Sequence, residues 1–197
     1  MKILCTNDDG YEATGIKVLA SAASRLGSVT TVAPDREQSA TSNSLTLHHP
    51  LRARQNTDGT WVVDGTPTDC VLLALNELVQ ERPDVCVSGV NHGPNMGEDV
   101  LYSGTVAAAM EATFMGIPAV ALSHTGYEHE ELGDWEPVVV SILQSILGRD
   151  GLPADALFNV NLPPVAPADV RGIRVTSLGQ RRYAESITRA NDPSGRE

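Results

Sequence analysis

Two adjacent carboxylates, Asp8 and Asp9, follow a short apolar run, Ile3 to Cys5, and lead into Gly10. Like charges side by side raise each other's pKa unless a cation lies between them, so the pair has the chemistry of a metal site. It equally has the chemistry of a helix start, since Asp is a favoured N-cap and Asn-Asp-Asp-Gly is turn composition. On these residues alone the two readings stand level. A second stretch, Ser88 to Ala112, has glycines at 89, 93 and 97, amides at Asn91 and Asn95, and Ser103-Gly104-Thr105 opening an alanine-rich segment. Small hydroxyl residues and a glycine at a helix N-terminus leave N–H groups and a favourable dipole for an anion, the usual way a phosphate is cradled. Thr105 is also an ordinary N-cap, so the triplet gains its weight from the glycine-rich loop before it. A third stretch, Pro34 to Ser44, is polar and aperiodic and carries Ser39, Thr41, Ser42 and Ser44, hydroxyls that can ligate or can satisfy local turns.

The elements that must position these residues follow from periodicity. Ile3 to Cys5 lacks polar alternation, the pattern of a parallel strand buried on both faces, and ligands of open α/β sheets bind at the carboxyl ends of such strands. Ile16, Leu19, Ala20, Ala23 and Leu26 recur at helical spacing, with Gly27 as the expected C-terminal cap, and Val29 to Ala33 reads as a second strand. The opening is therefore a βαβ unit, but its first turn is not G-x-G-x-x-G, so no dinucleotide cofactor is indicated. Leu45, Leu47 and Leu51, then an Asp58-Gly59 turn before Trp61 to Val63, predict a small antiparallel excursion. His48 and His49 fall there, away from other metal-type residues, and read as surface.

Thr66-Pro67-Thr68-Asp69 starts a helix running to Leu78, and Pro83 opens a strand at 84–89. Ala119 to Ser123 is a further strand, the glutamate-rich segment after it a solvated face, and Trp135 to Leu147 a helix ended near Gly148. Phe158 to Leu162 and Ile173 to Leu178 complete the predicted strands, and beyond Gly179 no packed element is expected. The fold class is α/β: a Rossmann-like three-layer fold with a mainly parallel sheet and a small antiparallel excursion, as one domain over residues 1–197.

A formal charge of −11 and a pI near 4.8 argue against nucleic acid or an acidic membrane surface as the main partner. No leader opens the chain, and no apolar run approaches the ~20 residues of a membrane span, so a cytoplasmic location is expected. Cys5, Cys70 and Cys86 are scattered in apolar segments and read as buried reduced thiols.

NDDG after the first strand, the PDREQSATSNS loop, the DGTPTDC helix start and the SGVNHGPNMGEDVLYSGTVAAAMEA block together resemble the SurE (survival protein E) family of metal-dependent 5′-nucleotidases, in the family's order over nearly the whole chain. The resemblance implies hydrolysis of nucleoside 5′- and 3′-monophosphates, and in some members of short polyphosphate, by one divalent metal ion per subunit. It places the metal ligands on Asp8, Asp9, Ser39 and Asn91, and phosphate binding on Asn95, Ser103, Gly104 and Thr105. It also implies a homodimer or higher homo-oligomer using a C-terminal arm that relatives carry beyond this chain's end, an arm this chain is expected to lack. Two carboxylates, a hydroxyl and an amide carbonyl are hard oxygen donors, suited to Mg²⁺ or Mn²⁺. Asp8 would orient the attacking water or itself attack as nucleophile; the absence of D-x-D favours water. Two alternatives stand beside this: a nucleoside hydrolase-like metal enzyme, and a non-catalytic nucleotide-binding module.

Overall fold

The computed structural model describes residues 1–126, 129–148 and 152–180. β1 (Lys2–Thr6) leads to α1 (Thr14–Ser24) and β2 (Ser28–Pro34); β3 (Ala53–Gln55) and β4 (Trp61–Val63) form a hairpin; α2 (Pro67–Leu73), β5 (Val85–His92), α3 (Gly104–Phe114), β6 (Ala119–His124), α4 (Glu136–Leu147) and β7 (Leu157–Leu162) follow. The sheet order is β3-β4-β2-β1-β5-β6-β7, parallel throughout except for β3 against β4. The α/β reading with one small antiparallel excursion therefore holds.

Alternation along the central strands divides the core. Ile3, Cys5, Val85, Val87, Val120 and Leu122 face α1 and α4, with Leu19, Val139 and Leu143. Leu4, Cys86, Ala119 and Ala121 face α2 and α3, with Cys70, Val71, Ala108 and Ala112. Burying each valine or leucine contributes about 1.5–3 kcal/mol, and the small alanines on the second face let α3 approach the sheet. Burial pushes the Cys86 thiol up to about 12 and those of Cys5 and Cys70 well above their ordinary range. α2 starts as expected: Thr66 and Asp69 form a reciprocal capping box with Pro67 in the first turn. A wider π turn, Ala74–Leu78, then continues it.

Several expectations are corrected. Gly27 is not a left-handed cap; the helix closes at Arg25, and Gly27 is needed because a Cβ there would lie 1.9 Å from the Met1 carbonyl. The third parallel strand does not stop at Gly89 but bulges between Ser88 and Asn91 and continues to His92. The excursion is confined to residues 53–63, because Leu45 and Leu47 find no strand partner and stay exposed. Ile173 to Leu178 is no strand either: among the described residues no sheet edge pairs with it, and Ile173, Val175 and Leu178 are exposed. The glutamate-rich segment ends in a 3₁₀ turn, His129–Trp135, whose Leu132 and Trp135 are fully buried, while the side chains of 127–131 and the tail from 181 lie outside the described residues. Among the described residues no helix is long and apolar enough to cross a membrane.

Candidate active site

From β1 the chain builds one side of the sheet, then returns past β1 to build β5, β6 and β7 on the other. The order reverses between β1 and β5, whose loops part at their carboxyl ends, and such a reversal point is where open α/β sheets bind ligands. Asp8 and Asp9 emerge from β1 there, and Asn91 and His92 end β5.

Asn7 Nδ2 donates to the Gly10 carbonyl at 2.8 Å, closing a turn in which Gly10 takes φ 95°. α1 begins only at Thr14, with Ala13 as its N-cap, so the acids do not cap it and that reading falls. Asp8 is 4% exposed, and its Oδ1 accepts from the Thr105 hydroxyl. Burial first, then the charge of Asp9, pushes the Asp8 carboxyl from its ordinary 3.8 up to about 7, against hydrogen bonds from the Thr105 hydroxyl and from the Asp8 and Thr105 backbone N–H groups. Gly104 explains how α3 comes so near: a Cβ there would lie 2.8 Å from Asp8 Cβ and 3.0 Å from its Oδ2.

Asp9 Oδ2 accepts from the His92 backbone N–H at 3.3 Å and lies 3.4 Å from His92 Nδ1. Asp9, Glu12, Glu37, Ser39 and His92 share the wall of a cavity of about 550 Å³. The Ser39 hydroxyl donates to Glu37 Oε1 at 2.6 Å, and Asp8 holds the start of that loop, its carbonyl accepting from Gln38 N–H at 2.7 Å. Asn91 Nδ2 donates to the carbonyls of Gly93 at 2.9 Å and His92 at 3.3 Å.

Ser103, not Thr105, caps α3, its Oγ accepting from Val106 N–H at 3.1 Å. Thr105 is fully buried against Asp8. Asp8 therefore meets this helix start through Thr105. Asn95 sits over β6 and β7, its Nδ2 donating to Ser123 Oγ at 2.8 Å. The structure thus joins Asp8 to Gly104 and Thr105, and Asp9 to Ser39 and His92, and sets Asn95 apart. Sequence reasoning passed over His92, whose only signal is its place next to Asn91, and Ser123, Asn159 and Asn161, which read as strand residues.

Among the described residues no three His, Cys, Asp or Glu side chains converge as a metal-binding group. A metal would rest on two carboxylates plus neutral oxygens, and the raised Asp8 carboxyl shows that burial and Asp9 together disfavour a second negative charge there without a cation. The donor set fits a hard divalent ion.

The chain matches the family described as Survival protein SurE over residues 3–185. It is 56% identical to a 5′-nucleotidase SurE of Gemmatimonas aurantiaca and 50% identical to that of Methylococcus capsulatus, covering all of this chain and 79% and 78% of theirs. The crystal structure of the SurE protein from Aquifex aeolicus superposes with a TM-score of 0.89 at 41% identity, covering all of this chain and 79% of that one. With a match across nearly its whole length and about half its residues shared with such relatives, the chain belongs to the SurE family.

Proposed function

We propose that this chain is a metal-dependent phosphomonoesterase that hydrolyses nucleoside 5′- and 3′-monophosphates, a 5′-nucleotidase. The observation that carries it is the Asp8–Asp9 pair at the carboxyl end of β1, facing the first turn of α3 through Thr105 and Gly104. The relatives named 5′-nucleotidase support the substrate class.

Asp8, Asp9, Ser39 and Asn91 would hold one Mg²⁺ or Mn²⁺. When bound, such an ion polarises a phosphoryl oxygen and lowers the pKa of a coordinated water. Asn95, Ser103, Gly104 and Thr105 orient the phosphate. Asp8 accepts a hydrogen bond from the attacking water; the new bond forms from water oxygen to phosphorus, and the phosphorus bond to the ribose oxygen breaks. One water proton ends on that ribose oxygen and the other stays with phosphate. The β1 pair supplies charge, and the helix start supplies donors already in place, which catalysis of so slow a reaction requires.

Three unpaired thiols suit a reducing compartment, the cytoplasm. Ile173, Val175 and Leu178, exposed in an extended segment, support association into a homodimer or higher homo-oligomer, which light scattering at several concentrations checks. Phosphate release measured across nucleoside monophosphates and short polyphosphate tests the function: release with Mn²⁺ and none with EDTA is expected. Release unaffected by EDTA, or a free base with no phosphate, overturns it.

A further inference from the structure

β7 carries Asn159 and Asn161, two residues apart and therefore on one face of the strand. Both close on Asn95, more than sixty positions earlier. Asn161 Oδ1 accepts from the Asn95 backbone N–H at 2.9 Å, and its Nδ2 donates to the Asn95 carbonyl at 3.0 Å. Asn159 Nδ2 donates to the same carbonyl at 2.8 Å. Register explains the meeting: Asn91, Ser123 and Asn161 lie side by side across β5, β6 and β7, and Ser123 takes one of the two Asn95 carboxamide hydrogens.

Asn95 lies in the loop after β5, where no strand pairs its backbone. One side-chain amide that meets both its N–H and its C=O takes the place of a neighbouring strand and fixes the two peptide planes flanking Asn95. Ser123 then fixes the side chain. The result is an amide held in orientation before any ligand arrives, and preorganised donors bind more tightly than ones that must first be ordered. We infer that Asn161, assisted by Asn159, is a positioning residue of the phosphate subsite: it touches no substrate and acts by aiming Asn95. The inference rests on the reading of Asn95 as a phosphate-binding amide.

Calorimetric titration of inorganic phosphate into Mn²⁺-loaded protein, with Mn²⁺ titrated alone as control, tests it. Asn161→Leu should weaken phosphate binding about tenfold, through the loss of two hydrogen bonds, and Asn159→Ala, at an exposed site, about two- to threefold. Affinity for Mn²⁺ alone should stay within about twofold, because Asp8 and Asp9 are untouched. The double variant Asn95→Ala/Asn161→Leu should bind phosphate no worse than Asn95→Ala, since Asn161 has then nothing to aim. Wild-type phosphate affinity in Asn161→Leu, or losses that add in the double variant, overturn the inference. Should Asn161→Leu fail to fold, the same cycle with Asn159→Ala decides by the same criterion. If Asn95→Ala weakens phosphate and the β7 variants do not, only this inference falls; if Asn95→Ala binds as wild type, the reading of Asn95 falls with it.

Discussion

At the β1 end of the site, two carboxylates stand together with one buried hydroxyl, one histidine and a helix start for company; at the β7 end, three amides and a serine, all neutral, close on one another. The first arrangement is incomplete in protein alone, because the Asp8 carboxyl is pushed up to about 7 by burial and by Asp9. The second is hydrogen-bonded without help. At one end burial and a neighbouring carboxylate disfavour charge, which a cation would relieve, and the other end stores orientation. Their responses to mutation, pH and metal must therefore differ.

The largest difference is in turnover. Asp8→Asn and Asp9→Asn should each lower phosphate release on the order of 10³-fold with circular dichroism unchanged, whereas Asn95→Ala, with metal still held, should cost on the order of 10–100-fold. Equal losses would erase the distinction. Gly104→Val comes next: its side chain would collide with Asp8 Cβ and Pro67 Cγ, so phosphate affinity should fall about tenfold or more, and melting should show a smaller loss of stability.

The pH response separates the ends in the metal-free protein. The folded Asp8 carboxyl holds its proton up to about 7, while unfolded it loses it near 3.8. Folding therefore retains a proton that the unfolded chain releases, and stability falls as pH rises from about 4 to 7. In EDTA at pH 8, Asp8→Asn should be the more stable protein by about 2 kcal/mol in urea melts, and saturating Mn²⁺ should reverse the order. Asn161→Leu keeps Asp8 and should keep the wild-type pH slope, and its stability difference from the wild type should not reverse with Mn²⁺. The smallest effect is Ser103→Ala, which removes the α3 cap and should cost about 1 kcal/mol with or without metal.

The same contrast governs what the sequence reveals. Adjacent acids after an apolar strand are rare and costly, so Asp8 and Asp9 stand out, and the capping box at Thr66 and Asp69 has a local spacing that needs no tertiary knowledge. The β7 asparagines look like any polar strand residues; their role depends on a register that brings Asn161 level with Ser123, which no local window contains. The cap expected of Thr105 falls to Ser103, because which hydroxyl caps and which reaches Asp8 depends on where α3 begins. Ile173 to Leu178 has strand composition, but a strand also needs an edge to join.

The central claim is that the β1 pair would hold the metal and the Asn95 amide would not. Calorimetric titration of Mn²⁺ into the wild-type chain, Asp8→Asn and Asn95→Ala tests it in one experiment. One ion per chain for wild type and Asn95→Ala, with binding lost or weakened at least about 100-fold in Asp8→Asn, is the expected result. Wild-type Mn²⁺ affinity in Asp8→Asn would contradict the account.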